Sequence, residues 1–443
     1  MIYRNLSIWK NIDKYLLILY LLLLIAGYTT VYSSSFKGVD VLENYWSTVY
    51  GKQMIWIIIS LFLGFFLLLL EGSFIQNLSY VLYLIVIILL IAVLFMPPVK
   101  GVSSWFQFGS FSVQPSEFAK LVTSLAFARY LSNVNTRFQD FKVRIKAGLF
   151  VIIPALLIIM QPDAGTMLVF IGFVFVLYRE GLSGNFLLVG LFALLIATVG
   201  VFLKASNSYF FIGDWEVSGD QFFGFILLLG FLFSFIIIRY FVLPRFRKNK
   251  YYQLIIIAVI GLSISLSVSY IYDNLFKDRH RNRFQIMFGI KEDRLGVGYN
   301  IYQALSAIGS GEGVGKGYLK GTLSNDKYKH VPEQNTDFIF CVLAEEWGFL
   351  GGVIFILLYI TTMIRMIMIS ERQRSKFTRI YGYCVTSIMF FHFMINIGMV
   401  IGLAPVIGIP LPFFSKGGSA ILAFSIMFFI LLRLDAERKV VLR

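Results

Sequence analysis

Acidic side chains that could act as a general base lie at the end of one long polar loop and inside two apolar runs. Asp337 closes the loop and directly precedes an apolar run. A carboxylate held there, partly removed from water, has the raised proton affinity that a general base needs. An acid in a first turn is also favoured by the helix dipole, by about 0.3–1 kcal/mol, so helix capping is the simpler alternative.

Other charged side chains lie within the apolar runs themselves. Glu345 and Glu346 follow Asp337 by about 12 Å along a helix. Adjacent acids inside a membrane segment are costly, which predicts either a function or a basic partner on another helix. Glu117 and Lys120 are three residues apart and share a helix face, where they either face a central site or pair only with each other.

A glycine-rich run at residues 309–317 suggests phosphate binding. It is not a P-loop, because position 310 is Ser where that motif needs Gly and position 317 is Gly where it needs Ser or Thr. Glycines still let backbone amides approach a phosphate closely, and Lys316 would add a point charge. A flexible turn between surface helices is an equally weighted alternative.

The elements that must position these side chains are membrane-spanning helices. Of the 443 residues, 58% are hydrophobic and 14% are charged, whereas soluble domains average about 45–50% and 25%. The apolar residues form runs of about 17–25, the length that crosses a bilayer. We predict an all-α, polytopic transmembrane bundle of about twelve spans. They are residues 14–33, 53–70, 77–97, 114–131, 147–161, 164–179, 183–203, 220–243, 251–274, 338–369, 379–402 and 418–434.

Basic residues predict the orientation of these spans. The net charge is +15, and Lys and Arg concentrate in both terminal segments and in the turns at 129–146, 244–250 and 371–379. Twelve spans place all five on one side, so both termini are predicted to be cytoplasmic. The orientation of the spans explains the net positive charge, so the charge does not indicate a nucleic-acid partner. Both cysteines lie in apolar segments, so no disulfide framework is expected.

The largest loop on the opposite side comprises residues 275–337. Loops longer than about 12–15 residues without their own structure are usually functional or disordered. This one is too rich in Tyr, Leu and Ile for a disordered linker, so we expect one or two amphipathic helices on the membrane surface. It holds ten basic and seven acidic residues. That balance suits an anionic ligand, with a solvated loop of no special function as the alternative.

Two segments contain turn-forming residues next to predicted membrane spans. Residues 161–166 form an outward turn whose Asp and Thr could be simple helix caps. Residues 402–419 contain three prolines and four glycines. Irregular backbone at membrane depth must be buried in protein or line a cavity, which makes this segment a candidate cavity wall.

Taken together, these motifs resemble the SEDS family (shape, elongation, division and sporulation), and the long loop is more similar to its RodA branch than to FtsW. The matching segments keep the family's order. They are Gln114–Leu121 (QPSExxK), Gln161–Thr166 (QPDxGT), Ala307–Gly311 and Gly315–Gly317 (AIGSG and GKG), Pro332–Gly348 (PE…TDFIF…EE.G), Asn396–Met399, and Pro410–Ser415 with Gly417–Ser419.

The resemblance implies a peptidoglycan glycosyltransferase that polymerises lipid II at the outer face of the bacterial cytoplasmic membrane, for cell elongation and shape. The family's essential carboxylate maps to Asp337, and its cavity-facing pair maps to Glu117 and Lys120. A departing diphosphate needs positive charge, for which Lys120, Lys316 and Arg283 are the candidates. The candidates for substrate contact are Glu117, Lys120, Lys316, Arg283, Thr336 and Ser415.

The resemblance also implies partners. The usual partner is a class B penicillin-binding protein, which supplies transpeptidation, and membrane lipids surround the bundle. A divalent cation, Mg²⁺ or Mn²⁺, could share the charge of the diphosphate, although the sequence shows no dedicated metal site. A transporter or flippase of the lipid-linked precursor, a division-specific FtsW-type polymerase and a scaffold for the partner enzyme are the alternative functions.

The chain departs from the family pattern in its number of spans. The family more often has ten, so residues 205–275 are expected to be an added transmembrane hairpin within a single membrane domain, residues 1–443. At single positions, Lys416 stands where Tyr is usual and Asn335 where His is common. These differences bear on the detailed substrate contacts.

Overall fold

Helices occupy all twelve positions predicted as spans. The structure is a computed structural model that describes residues 11–36, 45–97, 103–109, 111–133, 138, 140–212, 215–276, 278–291, 298–324 and 331–438. Within those ranges, ten helices are long and apolar enough to cross a membrane. The other two predicted spans are a 17-residue helix, Pro115–Leu131, and a broken helix, Ala164–Arg179. The all-α, polytopic fold is thereby confirmed.

The chain divides into two compact units, residues 1–181 with 303–443, and residues 182–302. The first unit contains most of the residues with candidate chemistry. Its helices are α1 (Lys14–Ser35), α2 (Val49–Leu69), α3 (Gly72–Val93), α4 (Pro115–Leu131), α5 (Phe141–Met160), α6 (Ala164–Val169) and α7 (Phe173–Arg179). After the second unit come α13 (Ile339–Glu371), α14 (Lys376–Val400) and α15 (Gly418–Ala436).

Helix α4 is the least apolar of these helices and one of the most buried. It packs against α3, α5, α14 and α15, so its polar side chains face protein rather than lipid, as predicted. Pro115 at its first position has the backbone torsion that a helix needs, and Glu117 in the first turn is favoured by the helix dipole.

A short antiparallel hairpin, β1 (Phe106–Phe108) and β2 (Phe111–Val113), directly precedes α4. Phe106 lies opposite Val113, and Gly109 adopts a positive φ of 60° after the first strand. The prediction of purely helical structure missed this element. Its signal was the alternation of apolar residues on both sides of a glycine.

The second unit contains the predicted hairpin of residues 205–275. Its elements are α8 (Gly184–Ala205), the hairpin β3 (Tyr209–Ile212) and β4 (Trp215–Ser218), α9 (Gly219–Phe241), α10 (Pro244–Tyr270) with a π-helical turn at Ile271–Leu275, and α11 (Asp278–Met287). Helices α9 and α10 pack on each other and on α8. Most side chains of α9 are exposed, which suits a lipid-facing helix. That this hairpin is an addition to a ten-span core stays a prediction.

The polar loop contains the helices that its apolar residues predicted. Helix α11 opens it, and α12 (Tyr299–Ser310) follows within the described residues 298–324.

An ionic cluster joins the start of α1 to the end of α15. Asp13 caps α1 and accepts hydrogen bonds from Arg365 (2.7 Å) and Arg372 (2.8 Å), and Arg372 also binds Asp435 in the last turn of α15. Burial alone would raise the pKa of Asp13, but Arg365, a backbone N–H and Arg372 hold it below its usual range. The start of α1 and the end of α15 therefore lie at the same end of the first unit.

Candidate active site

Asp337 lies in the turn of residues 332–338 that leads into α13. The N-cap of α13 is Phe338 and the first turn of α13 holds no acidic residue, so Asp337 precedes the helix rather than lying in its first turn. The Asp337 side chain is half-buried. Asn396 of α14 donates through Nδ2 to the backbone carbonyl of Asp337 (2.9 Å) and to that of Ile409 (2.6 Å). Asp337 is therefore held to α14 through its backbone, which leaves the carboxylate to other contacts.

The predicted cavity wall, residues 402–417, packs directly on this turn. The Ser415 hydroxyl donates to the carbonyl of Thr336 (2.6 Å) and accepts from the backbone N–H of Leu411 (2.9 Å). A side-chain Cβ added at Gly408 would lie only 3.1 Å from Oδ2 of Asp337. The structure thus brings Thr336, Ser415 and Asp337 together, and Ser415 holds the turn that carries the carboxylate.

The pair Glu117 and Lys120 has a third member that the sequence did not reveal. Lys120 is fully buried, and its Nζ lies 2.8 Å from Oε2 of Glu117 and 2.8 Å from Nε2 of His392. Nδ1 of His392 lies 3.0 Å from the carbonyl oxygen of Pro410. Because a carbonyl only accepts, Nδ1 carries the hydrogen, and Nε2 accepts from the ammonium. His392 is accordingly neutral and orients Lys120.

Helix α14 connects this buried cluster to Asp337. His392 and Asn396 are four residues apart, so they share a face of α14 about 6 Å apart along its axis. One holds Lys120 and the other holds the backbone of Asp337. Two polar residues at this spacing in the otherwise apolar second half of α14 were the signal that could have identified His392.

The outward turn at residues 161–166 connects to the same region through Asp163. Its carboxylate caps α6 by accepting from the Thr166 backbone N–H (3.1 Å), which confirms the capping interpretation. It also accepts from Nε2 of Gln114 (2.8 Å), the residue that precedes α4. Asp163 thereby ties the start of α4, with Glu117 and Lys120, to the start of α6.

Lys316, a candidate for phosphate binding, forms an ion pair with a buried carboxylate of α13. Its Nζ lies 2.6 Å from Oε1 of Glu345, whose side chain is completely buried. The Glu345 carboxylate also accepts from the backbone N–H groups of Thr322 (2.8 Å), Leu323 (3.0 Å) and Ser324 (2.9 Å). The two adjacent acids led us to predict a basic partner on another helix. Glu345 has a basic partner, but this partner, Lys316, comes from the loop.

Two glycines of the glycine-rich run, Gly311 and Gly315, pack closely on the backbone of α13. Helix α13 is interrupted at Gly348, where φ is +63°. The run pairs with the backbone across this break: Lys316 N–H donates to the Glu345 carbonyl (3.1 Å), and Phe349 N–H to the Glu312 carbonyl (2.8 Å). A Cβ at Gly315 would lie 2.2 Å from the Glu346 carbonyl oxygen. Glycine is needed at position 315 because two backbones meet there, whereas phosphate binding by the run stays a prediction.

Arg283 lies on α11, in the second unit, and its predicted contact with substrate stays a prediction. Among the described residues, no group of three or more His, Cys, Asp or Glu could hold a metal ion.

Glu345→Gln is expected to lower the free energy of unfolding by about 3–5 kcal/mol, because it removes one partner of a buried ion pair. The measurement is unfolding in mixed micelles, together with proteolysis of residues 311–324. Glu312→Gln is the matched control, since that side chain is exposed in the same loop. Equal unfolding free energies for the two variants would show that Glu345 does not anchor the loop.

Comparisons with known proteins match almost the whole chain. The family model of FtsW, RodA and SpoVE, described as cell cycle protein, matches residues 13–215 and 223–440. A peptidoglycan glycosyltransferase RodA of Treponema pallidum is 32% identical, over 97% of this chain and 98% of that protein. The peptidoglycan glycosyltransferase MrdB of Escherichia coli is 33% identical, over 81% of this chain and 78% of that protein.

The fold also matches solved structures. A chain from a peptidoglycan synthase complex in which polymerization and crosslinking are coordinated superposes with a TM-score of 0.68 at 23% identity, covering 97% of this chain and 99% of that chain.

Proposed function

The chain belongs to the FtsW, RodA and SpoVE family, and we propose that it is a peptidoglycan glycosyltransferase that polymerises lipid II for cell elongation and shape. Relatives named for this activity support the proposal at 32% and 33% identity. The observation that carries it is the arrangement around α14. Asn396 holds the backbone of Asp337, and His392, one helical turn away on the same helix, holds the fully buried Lys120.

The reaction joins two lipid-linked sugars. The 4-hydroxyl of one sugar attacks the anomeric carbon of the other, a new C–O bond forms, and the bond to the isoprenoid diphosphate breaks. Asp337 is the proposed general base that takes the hydroxyl proton. Glu117, Lys120 and Thr336 are the proposed substrate contacts, with Ser415 supporting the Asp337 turn and Arg283 as a further candidate cation. Lys316 is assigned no phosphate, because Glu345 already balances its charge.

A divalent cation, Mg²⁺ or Mn²⁺, that shares the charge of the diphosphate stays a prediction.

The apolar part of the substrate also has a place in the first unit. A groove of about 430 Å³ runs between α2, α3, α4 and α15, and every residue that lines it is apolar. It reaches Pro115 at the start of α4, two residues from Glu117. An isoprenoid chain is the part of the substrate that fits such a groove, because an apolar chain needs no polar partner there.

The partner and the orientation are part of the same proposal. A class B penicillin-binding protein would crosslink the strands that this chain polymerises, since the similar solved chain belongs to a complex that coordinates both steps. We propose that both termini face the cytoplasm, because a topology of twelve spans puts the basic turns on the same side as the termini.

The experiment is polymerisation of lipid II by the purified full-length chain in detergent, followed by electrophoresis of the glycan products. We expect polymer that a muramidase degrades. Transfer of fluorescent lipid II across vesicles, measured in parallel, separates the alternative: transfer without polymer would identify a transporter. Absence of polymer even with the partner enzyme present would identify a scaffold.

A further inference from the structure

A polar pocket lies beside the turn that carries Asp337. Its volume is about 300 Å³, and it is enclosed by the start of α2, the β1–β2 hairpin and the last residues before α15. Thr336, the neighbour of Asp337, lines it. The pocket is therefore one residue away from the proposed general base, within the first unit.

Two lysines give this pocket a positive charge. Lys52 lies in the first turn of α2, and Lys416 directly follows Ser415 of the cavity wall. Lys416 is fixed in place through its backbone N–H, which donates to the Asn335 carbonyl (2.8 Å). None of the lining residues that the structure describes is acidic. Such a pocket favours an anionic group.

Two indole rings form the apolar part of the pocket. Trp56 follows Lys52 by four residues and shares its helix face, and Trp105 precedes strand β1. The Trp56 ring packs directly on the backbone of α15, because a Cβ added at Gly418 would lie 2.2 Å from its indole atoms. Rigid aromatic faces beside cations suit a ligand with both a flat apolar face, such as a sugar ring, and a negative charge.

We propose that this pocket, lined by Lys52, Trp56, Trp105, Thr336 and Lys416, is a subsite for the headgroup of a lipid-linked substrate. A sugar ring lies against the indoles, and an anionic oxygen group, carboxylate or phosphate, binds the two lysines. This inference rests on the proposed function, and it adds a recognition site for the substrate to the residues already assigned.

The test is Lys416→Gln, with Lys52→Gln as a second variant in case the first does not fold. Either is expected to raise the KM for lipid II about tenfold with little change in kcat, the order expected for one charge-assisted hydrogen bond. Lys320→Gln is the matched control, because it removes an equal charge from an exposed position outside the pocket. An unchanged KM in both pocket variants would overturn the proposal.

Three substrates identify the anionic group. They are lipid II, lipid II with amidated peptide carboxylates, and the lipid-linked disaccharide without peptide. If the lysines bind a carboxylate, Lys416→Gln raises the KM for the first substrate only. If they bind the diphosphate, it raises the KM for all three.

Gly418→Ala tests the indole contact separately. Because its Cβ would lie 2.2 Å from the Trp56 indole, the ring must move out of its place, and we expect the KM to rise. Gly309→Ala in α12 is the control, since nothing lies within 4 Å of its Cβ position. A Gly418→Ala variant with the parental KM and an unchanged melting temperature would argue against the sugar contact.

Failure of the inference can be told from failure of the proposed function. Binding of lipid II to the full chain in nanodiscs is measured directly, without turnover. Weaker binding by the lysine variants supports the subsite even if the parental protein makes no polymer. Unchanged binding rejects the subsite even if polymerisation proceeds.

Discussion

Asp337→Asn is expected to reduce the rate of glycan polymerisation by about 10²–10⁴-fold, the usual contribution of a positioned general base. The substitution removes the proton acceptor but keeps the size of the side chain. One contact that holds residue 337 is made by its backbone carbonyl with Asn396, and the substitution leaves that contact in place. The measurement is the initial rate of polymer formation from lipid II, with binding of lipid II measured in parallel.

Glu312→Gln is the matched control for this variant, because it removes a carboxylate from an exposed position in the same loop. We expect it to keep a rate within a few-fold of the parental protein and to melt at the same temperature as Asp337→Asn. A parental rate for Asp337→Asn would remove Asp337 from its role as base. A loss of rate accompanied by an equally large loss of lipid II binding would assign Asp337 to substrate binding instead.

The positions of the spans were predictable because each depends on a local property, a run of apolar residues long enough to cross a bilayer. The burial of α4 was predictable for the same reason, since Glu117 and Lys120 could not face lipid. The β1–β2 hairpin was missed because three-residue strands give only weak alternation. Asp337 was identified by its place at the end of a polar loop and by its motif, and both are visible without the fold.

Contacts between distant parts of the chain were not predictable. Lys120 and His392 are 272 residues apart in sequence, and only the packing of α4 on α14 brings them together. The glycine-rich run resembled a phosphate site because glycine serves any close backbone approach. Part of the run packs on the break at Gly348, inside residues 338–369, which the sequence predicted as one continuous span.

Lys120→Met is expected to abolish polymerisation and also to destabilise the fold by about 3–5 kcal/mol, because Glu117 would remain as a buried carboxylate without its counter-charge. The Glu117 side chain is only 2% exposed and Lys120 is fully buried, so water cannot replace the lost partner. The single variant alone therefore cannot separate a catalytic role from a structural one.

The double variant Glu117→Gln/Lys120→Met separates the two roles. It removes both charges, so most of the free energy of unfolding should return, as buried ion pairs often tolerate replacement by neutral groups of similar size. If Lys120 contacts the substrate, polymerisation stays at least a hundredfold below the parental rate in this stable protein. Recovery of both stability and rate would mean that the pair with His392 only holds α4 against α14. In that case the positive charge for the leaving diphosphate must come from elsewhere, and Lys52 and Lys416 beside Asp337 would be the next cations to test.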